Sequence, residues 1–159
     1  MLKKVFAELD KWIAVQNDER GEAGLLKIPK CEIKVFGQTA LVEAGLSIHV
    51  PATMDVDVFA NYDHVVMKKF EELLKQNGKM LDPVGHEAWM PKETEYWKFF
   101  SGDWVTTYLA KVEYVMISKA KKALQRNKSL LTEYLASEPP PAFYELASKY
   151  EINLNIILE

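Results

Sequence analysis

Leu2, Val5, Phe6, Leu9, Trp12 and Ile13 recur every three or four positions, as one face of an amphipathic helix does. The polar run Asn17-Asp18-Glu19-Arg20-Gly21-Glu22 predicts a loop after it. Residues 32–36 read as a short strand with Ile33 and Val35 on one face, broken by Gly37. Residues 39–44 predict one or two helical turns ended by Gly45, and residues 54–60, after Pro51, a second strand. Residues 62–76 read as a helix with Val66, Phe70, Leu73 and Leu74 on one side and Asn77-Gly78 as its stop. The stretch 79–110 is aromatic and turn-rich, and within it 96–100 and 104–109 suit paired strands across Ser101-Gly102-Asp103. From 114 to 136 the pattern is helical again. Ser137-Glu138-Pro139-Pro140-Pro141 ends that run and starts a last short helix at 142–150, since Pro is tolerated in a first helical turn. Ile152, Leu154 and Ile156 alternate, which predicts a short closing strand or extended tail. The expected architecture is α+β: one domain over 1–159, a small mixed sheet with flanking helices, and a helical C-terminal portion at 114–150.

Composition narrows the possibilities. A chain of 159 residues is the size of one domain and buries a core without staples. The net charge of -3 argues against a globally basic nucleic-acid binder but leaves room for a local basic patch. Cys31 is the only cysteine, so neither an internal disulfide nor a thiolate zinc cluster can form, which fits a reducing compartment. No uninterrupted apolar run approaches the ~18 residues of a membrane span. The first residues lack the apolar stretch of a signal peptide. The expectation is a cytoplasmic protein with no membrane partner.

Candidate chemistry centres on Thr53-Met54-Asp55-Val56-Asp57-Val58-Phe59. Residues two apart on a strand share a face, so Asp55 and Asp57 stand side by side while Met54, Val56 and Val58 turn to an apolar face. Two adjacent carboxylates repel, and both gain from a shared divalent cation. Mg²⁺ takes hard oxygen ligands, commonly one or two carboxylates plus substrate phosphates, so the pair suits phosphoryl or nucleotidyl transfer. The same pattern also arises on a half-exposed edge strand whose acids are merely solvated.

Upstream, Gly37 sits where a strand runs into a helix, a position that lets backbone approach a ligand closely. Lys119, Lys121, Lys122, Arg126 and Lys128 form a basic run without an acid among them. Lys119, Lys122 and Arg126 fall at three- and four-residue spacing and share a helix face, which either meets phosphates or is solvated. His49, His64 and His86 show no metal-ligand spacing.

Together these pieces resemble the nucleotidyltransferase fold superfamily associated with DNA polymerase beta. More narrowly, they look like small prokaryotic proteins related to abortive-infection nucleotidyltransferase toxins. The residues that carry the resemblance are Gly37-Gln38-Thr39-Ala40-Leu41, then Thr53-Met54-Asp55-Val56-Asp57, then Tyr114-Val115-Met116-Ile117-Ser118-Lys119-Ala120 with its basic continuation. It covers residues 31–135.

The resemblance implies a toxin–antitoxin-like nucleotidyltransferase. Asp55 and Asp57 are catalytic and hold Mg²⁺; Gly37, Gln38 and Lys119 bind a nucleoside triphosphate. The acceptor is a hydroxyl of RNA or protein, and the overall acidity favours a protein or small acceptor. Two features depart from the pattern. Gln38 stands where the families carry a second Gly or a Ser. A third carboxylate, serving as metal ligand or as base for the attacking hydroxyl, has no clear counterpart, with Glu87, Glu93, Glu95 and Asp103 following in order. Both departures suit the alternative of a catalytically degenerate member acting as a nucleotide- or partner-binding module. An unrelated α+β domain with solvated Asp55 and Asp57 is the remaining alternative.

Overall fold

The first helix, α1 (Leu2–Glu22), runs straight through the polar stretch expected to be a loop. The computed structural model, which describes residues 1–158 apart from the side chain of His86, gives the reason. Asn17 is buried, and its amide clamps the backbone of Ile28, donating to the carbonyl at 2.9 Å and accepting the N–H at 2.6 Å. That clamp satisfies a polar side chain in the buried stripe of Leu2, Val5, Phe6, Leu9 and Ile13, so the stripe extends by a turn.

The next elements are β1 (Cys31–Phe36), α2 (Gly37–Glu43), β2 (Asp55–Ala60), α3 (His64–Gln76) and β3 (Met80–Leu81). After a 3-10 turn at Gly85–Glu87 come β4 (Tyr96–Ser101), β5 (Val105–Ala110), α4 (Val112–Ala123), α5 (Lys128–Ala136), α6 (Pro141–Lys149) and α7 (Leu154–Leu158). The sheet has five strands in the order β3-β2-β1-β5-β4. β1 pairs antiparallel with β2 and parallel with β5, β2 parallel with β3, and β4 antiparallel with β5, so the sheet is mixed as expected. This is an α+β fold.

Helices cover the two faces of β2 differently. α3 packs on α1, with Phe6 stacked on Phe70 at 5.7 Å, and shares a cavity with Val58. α2 packs on β1, β2 and α4. Because neighbours on a strand alternate, Val56 and Val58 are buried towards α3 while Asp55 and Asp57 turn towards α2 and α4. Met54 was expected on the apolar face but lies outside the strand and is 61% exposed. β3 flanks β2 only at Asp55 and Val56, and from Asp57 onward β2 pairs on one side alone, with β1.

Three further expectations are corrected. The helical run 114–136 is two helices, α4 and α5. Asn127 marks the break between them: its N–H and its side-chain amide both donate to the Ala123 carbonyl at 3.0 Å, and the amide also reaches the Lys119 carbonyl at 3.4 Å. The tail is the short helix α7, not a strand: it lies against α5, buries Ile157 and gives its carbonyl to Thr132 Oγ1 at 3.3 Å. β3 was not foreseen. Two residues show no periodicity, and the strand exists because Met80 and Asp82 donate to the carbonyls of Met54 (2.8 Å) and Val56 (3.0 Å). No helix among the described residues is long and apolar enough to cross a membrane.

Candidate active site

Strand alternation leaves Asp55 exposed and Asp57 half-buried on one face of β2. The backbone around Asp57 is held by glycine. Gly37 has φ +69°, a left-handed conformation, and a Cβ there would overlap Oδ2 of Asp57. A Cβ at Gly85 would lie 3.0 Å from Oδ1 of Asp57 and 3.3 Å from Cβ of Asp82. The Asp57 carboxylate thus fits between two stretches of bare backbone. Thr39 Oγ1 donates to the Asp55 carbonyl at 2.9 Å and ties the start of β2 to α2.

Asp82 is the carboxylate that the sequence reading missed. β3 docks on β2 and delivers Asp82 beside Asp57, so that the two carboxyl groups can share a proton when one of them is protonated. Asp82 is anchored further by accepting the Val84 N–H on Oδ1 at 3.0 Å. Of the four acids that follow in order and left the third carboxylate open, none lines the cleft. Glu93 is bound by Lys149 and the Tyr150 hydroxyl. Glu95 accepts from the Tyr114 hydroxyl at 2.7 Å and pairs with Lys111 at 3.5 Å. Asp103 lies in the β4–β5 hairpin, its N–H held by Asp10 of α1. Glu87 is exposed at the end of the 3-10 turn. The only local trace of Asp82 was an acid between an apolar pair and Pro83, a pattern with no period to read.

Electrostatics mark the cluster. Burial, then the hydrogen bond and charge of Asp82, then the charge of Asp55 push Asp57 from 3.8 up to about 6, while Lys119 pulls it down. Facing the acids, half-buried Lys119 and exposed Lys122 and Arg126 project from α4 and the segment after it. Burial lowers the Lys119 pKa, with the charge of Arg126 adding and Asp57 opposing. The shared face of the basic run is therefore a cleft wall. Lys121 turns away and donates to the Tyr150 carbonyl at 3.0 Å.

Gly37, Gln38, Asp55, Asp57, Asp82 and Lys119 line one cleft of about 420 Å³ between the sheet and α4. All five residues singled out from the sequence are in it. Gln38 enters with its amide already turned to the Pro51 carbonyl at 2.8 Å, so its side chain braces the loop before β2. A larger cavity, about 590 Å³, lies between β2 and α3. Val58, Met67, Met80 and Leu81 make it mainly apolar, and its charged residues Glu71, Lys75 and Asp82 include a single cation, so the smaller cleft, where three carboxylates face three cations, is the better candidate for chemistry. Asp82 stands in the wall between the two.

No group of three or more His, Cys, Asp or Glu among the described residues forms a ready-made metal cage. The donor set still fits Mg²⁺. It is all oxygen, Asp57 is strained by neighbouring acids, and this ion characteristically takes one or two carboxylates and completes its shell with substrate and water. Asp55 and Asp57 would hold it, with Asp82 within reach of Asp57. No protein-family model, curated protein or solved structure matches the chain. The functional reading rests on the cleft itself.

Proposed function

We propose that the protein is a metal-dependent nucleotidyltransferase that passes a nucleotidyl group from an NTP to a hydroxyl of a protein or RNA acceptor. The observation that carries this is the meeting, in one cleft, of Asp55, Asp57 and Asp82 on one wall with Lys119, Lys122 and Arg126 on the other. A polyphosphate is the ligand that such a cleft neutralises from both sides. Its oxygens answer the three cations directly and Asp55 and Asp57 through a divalent ion.

When bound, Mg²⁺ supplies charge neutralisation at the phosphates. The chain's own residues do the rest. Lys119 and Lys122 draw in the phosphates, and Gly37 leaves room for the Asp57 carboxylate opposite them. The acceptor oxygen attacks the α-phosphorus, the bond to the β-phosphate bridging oxygen breaks, and pyrophosphate leaves. The hydroxyl proton passes to Asp82, which stands beside Asp57 in the cleft and is not one of the two carboxylates that would hold the metal. Such chemistry is mostly positioning and charge balance, so few reactive side chains are required.

Two features favoured a degenerate binding module: the lack of a third acid and the bulk of Gln38. Asp82 supplies an acid in the cleft, and the Gln38 amide is held against Pro51, so the catalytic reading is the stronger. The test is label transfer. Protein incubated with Mg²⁺ and α-labelled NTPs, alone and with total RNA or cell extract, should transfer label. Asp57→Asn should abolish it. Failure of all four nucleotides either to bind or to react would end the proposal.

A further inference from the structure

Beyond Gln38, Arg126 and Asn127 the cleft continues into a second hollow of about 190 Å³, and these three residues line both. Two of them are fixed. Gln38 donates to Pro51, and Asn127 donates to the end of α4 at Ala123. Elsewhere along the cleft, Ser118 Oγ of α4 donates to the Trp89 carbonyl at 2.6 Å and Trp89 packs edge-on against Tyr150 at 5.3 Å, which holds the α4 wall in place. A molecule whose phosphates lie against Lys119 and Lys122 meets this adjoining hollow directly, across Arg126.

We propose that the second hollow seats the nucleoside half of the NTP, and that Glu133 selects bases carrying an exocyclic amino group. This rests on the nucleotidyltransferase reading above. At about 190 Å³ the hollow is smaller than the ~300–1,000 Å³ of a complete small-molecule site, so it takes part of a ligand. Its lining suits a flat polar ring. Pro51 and Leu130 offer apolar surface, and His49, Ser129 and Glu133 offer hydrogen-bonding groups. Arg126 reaches both compartments and bridges the phosphate end to the nucleoside end. An ionised carboxylate only accepts hydrogen bonds. Adenine, guanine and cytosine offer amino donors at their pairing edge. Uracil flanks its single N–H with two carbonyl oxygens, which a carboxylate repels.

The experiment is calorimetric titration in Mg²⁺ with three probes: tripolyphosphate, and ATP and UTP analogues with a methylene bridge between the α- and β-phosphorus. Wild type should bind all three, with the ATP analogue at least tenfold tighter than the UTP analogue. Ser129→Trp adds bulk at an exposed wall of the hollow. It should weaken the ATP analogue at least tenfold and leave tripolyphosphate within twofold, which also shows that the fold survives. Glu133→Ala should bring the two analogues within threefold of each other. Unchanged ATP-analogue affinity in Ser129→Trp, an equal loss of tripolyphosphate, or base preference surviving in Glu133→Ala would overturn the assignment of the hollow while the cleft stands. If wild type binds neither tripolyphosphate nor nucleotide, the nucleotidyltransferase reading fails and this inference falls with it.

Discussion

A Cβ on Gly37 would overlap Oδ2 of Asp57 and stand 3.3 Å from its Cγ, so the turn after β1 and the carboxylate on β2 share one tightly fitted space. Register makes this possible: Phe36 is the β1 partner of Asp57, and the chain turns immediately afterwards. Gly37→Ala should therefore suffer twice, from its left-handed φ and from the contact. Gly45 is the control, since its φ is +68° and nothing lies within 4 Å of a Cβ there. Gly45→Ala should cost roughly 1–2 kcal/mol for the backbone alone. Gly37→Ala should cost more and also lose Mg²⁺-nucleotide binding. Urea melts and titration check both, and equal costs with binding intact would refute the steric argument.

Asp57 makes metal-free stability depend on pH. Its pKa is about 6 when folded and 3.8 ordinarily, so the folded state holds this proton more tightly than the unfolded chain does. The stability from this group is fully present below 3.8 and is lost as pH rises through about 6. Asp57→Asn should thus stabilise the metal-free protein at pH 7, by about 1–2 kcal/mol once solvent screening is allowed for, and do little at pH 3.5. Thermal melts across that range read it. A variant less stable than wild type at pH 7 would contradict the electrostatic account.

Asp82 and the acids that only sequence order made possible separate in a transfer assay. Asp82→Asn should lower transfer by about 10²-fold or more, the scale of losing general-base catalysis. Glu93→Gln should leave transfer intact. Its effect belongs to acid stability: Lys149 and the Tyr150 hydroxyl hold the Glu93 pKa down to about 2 from 4.5. That contribution is present above 4.5 and disappears as pH falls through about 2. Glu93→Gln should remove this part of the acid transition. Equal activities of Asp82→Asn and wild type would remove Asp82 from the site.

Lys119→Ala should weaken a triphosphate more than a nucleoside, by about 1–3 kcal/mol, as expected for a charge-assisted hydrogen bond. The loss should shrink with added salt. Lys122→Ala and Arg126→Ala should act in the same sense and more weakly, because both are exposed. Lys128 begins α5 and lies outside the cleft lining, so Lys128→Ala should change little. Indistinguishable effects at Lys119 and Lys128 would return the basic run to a solvated face.

Local spacing was enough to determine that α3 is amphipathic, that β1 runs through Gly37 into a short helix, and that Asp55 and Asp57 share a face. Periods of 3.6 and 2 are properties of a few consecutive residues, and no partner is required to express them. The same spacing placed Lys119, Lys122 and Arg126 on one face but did not say whether that face meets solvent or acids. Packing of α4 on α2 decided that. Asp82 lay beyond local reading because its place depends on two backbone bonds from β3 to β2, made across a whole helix of intervening chain. The continuation of α1 past Asn17 and the helical tail at Leu154–Leu158 follow the same rule. Each was decided by a buried contact with a distant segment, Ile28 in one case and α5 in the other, and such contacts override the local pattern because they satisfy polar groups and bury surface that the pattern leaves open.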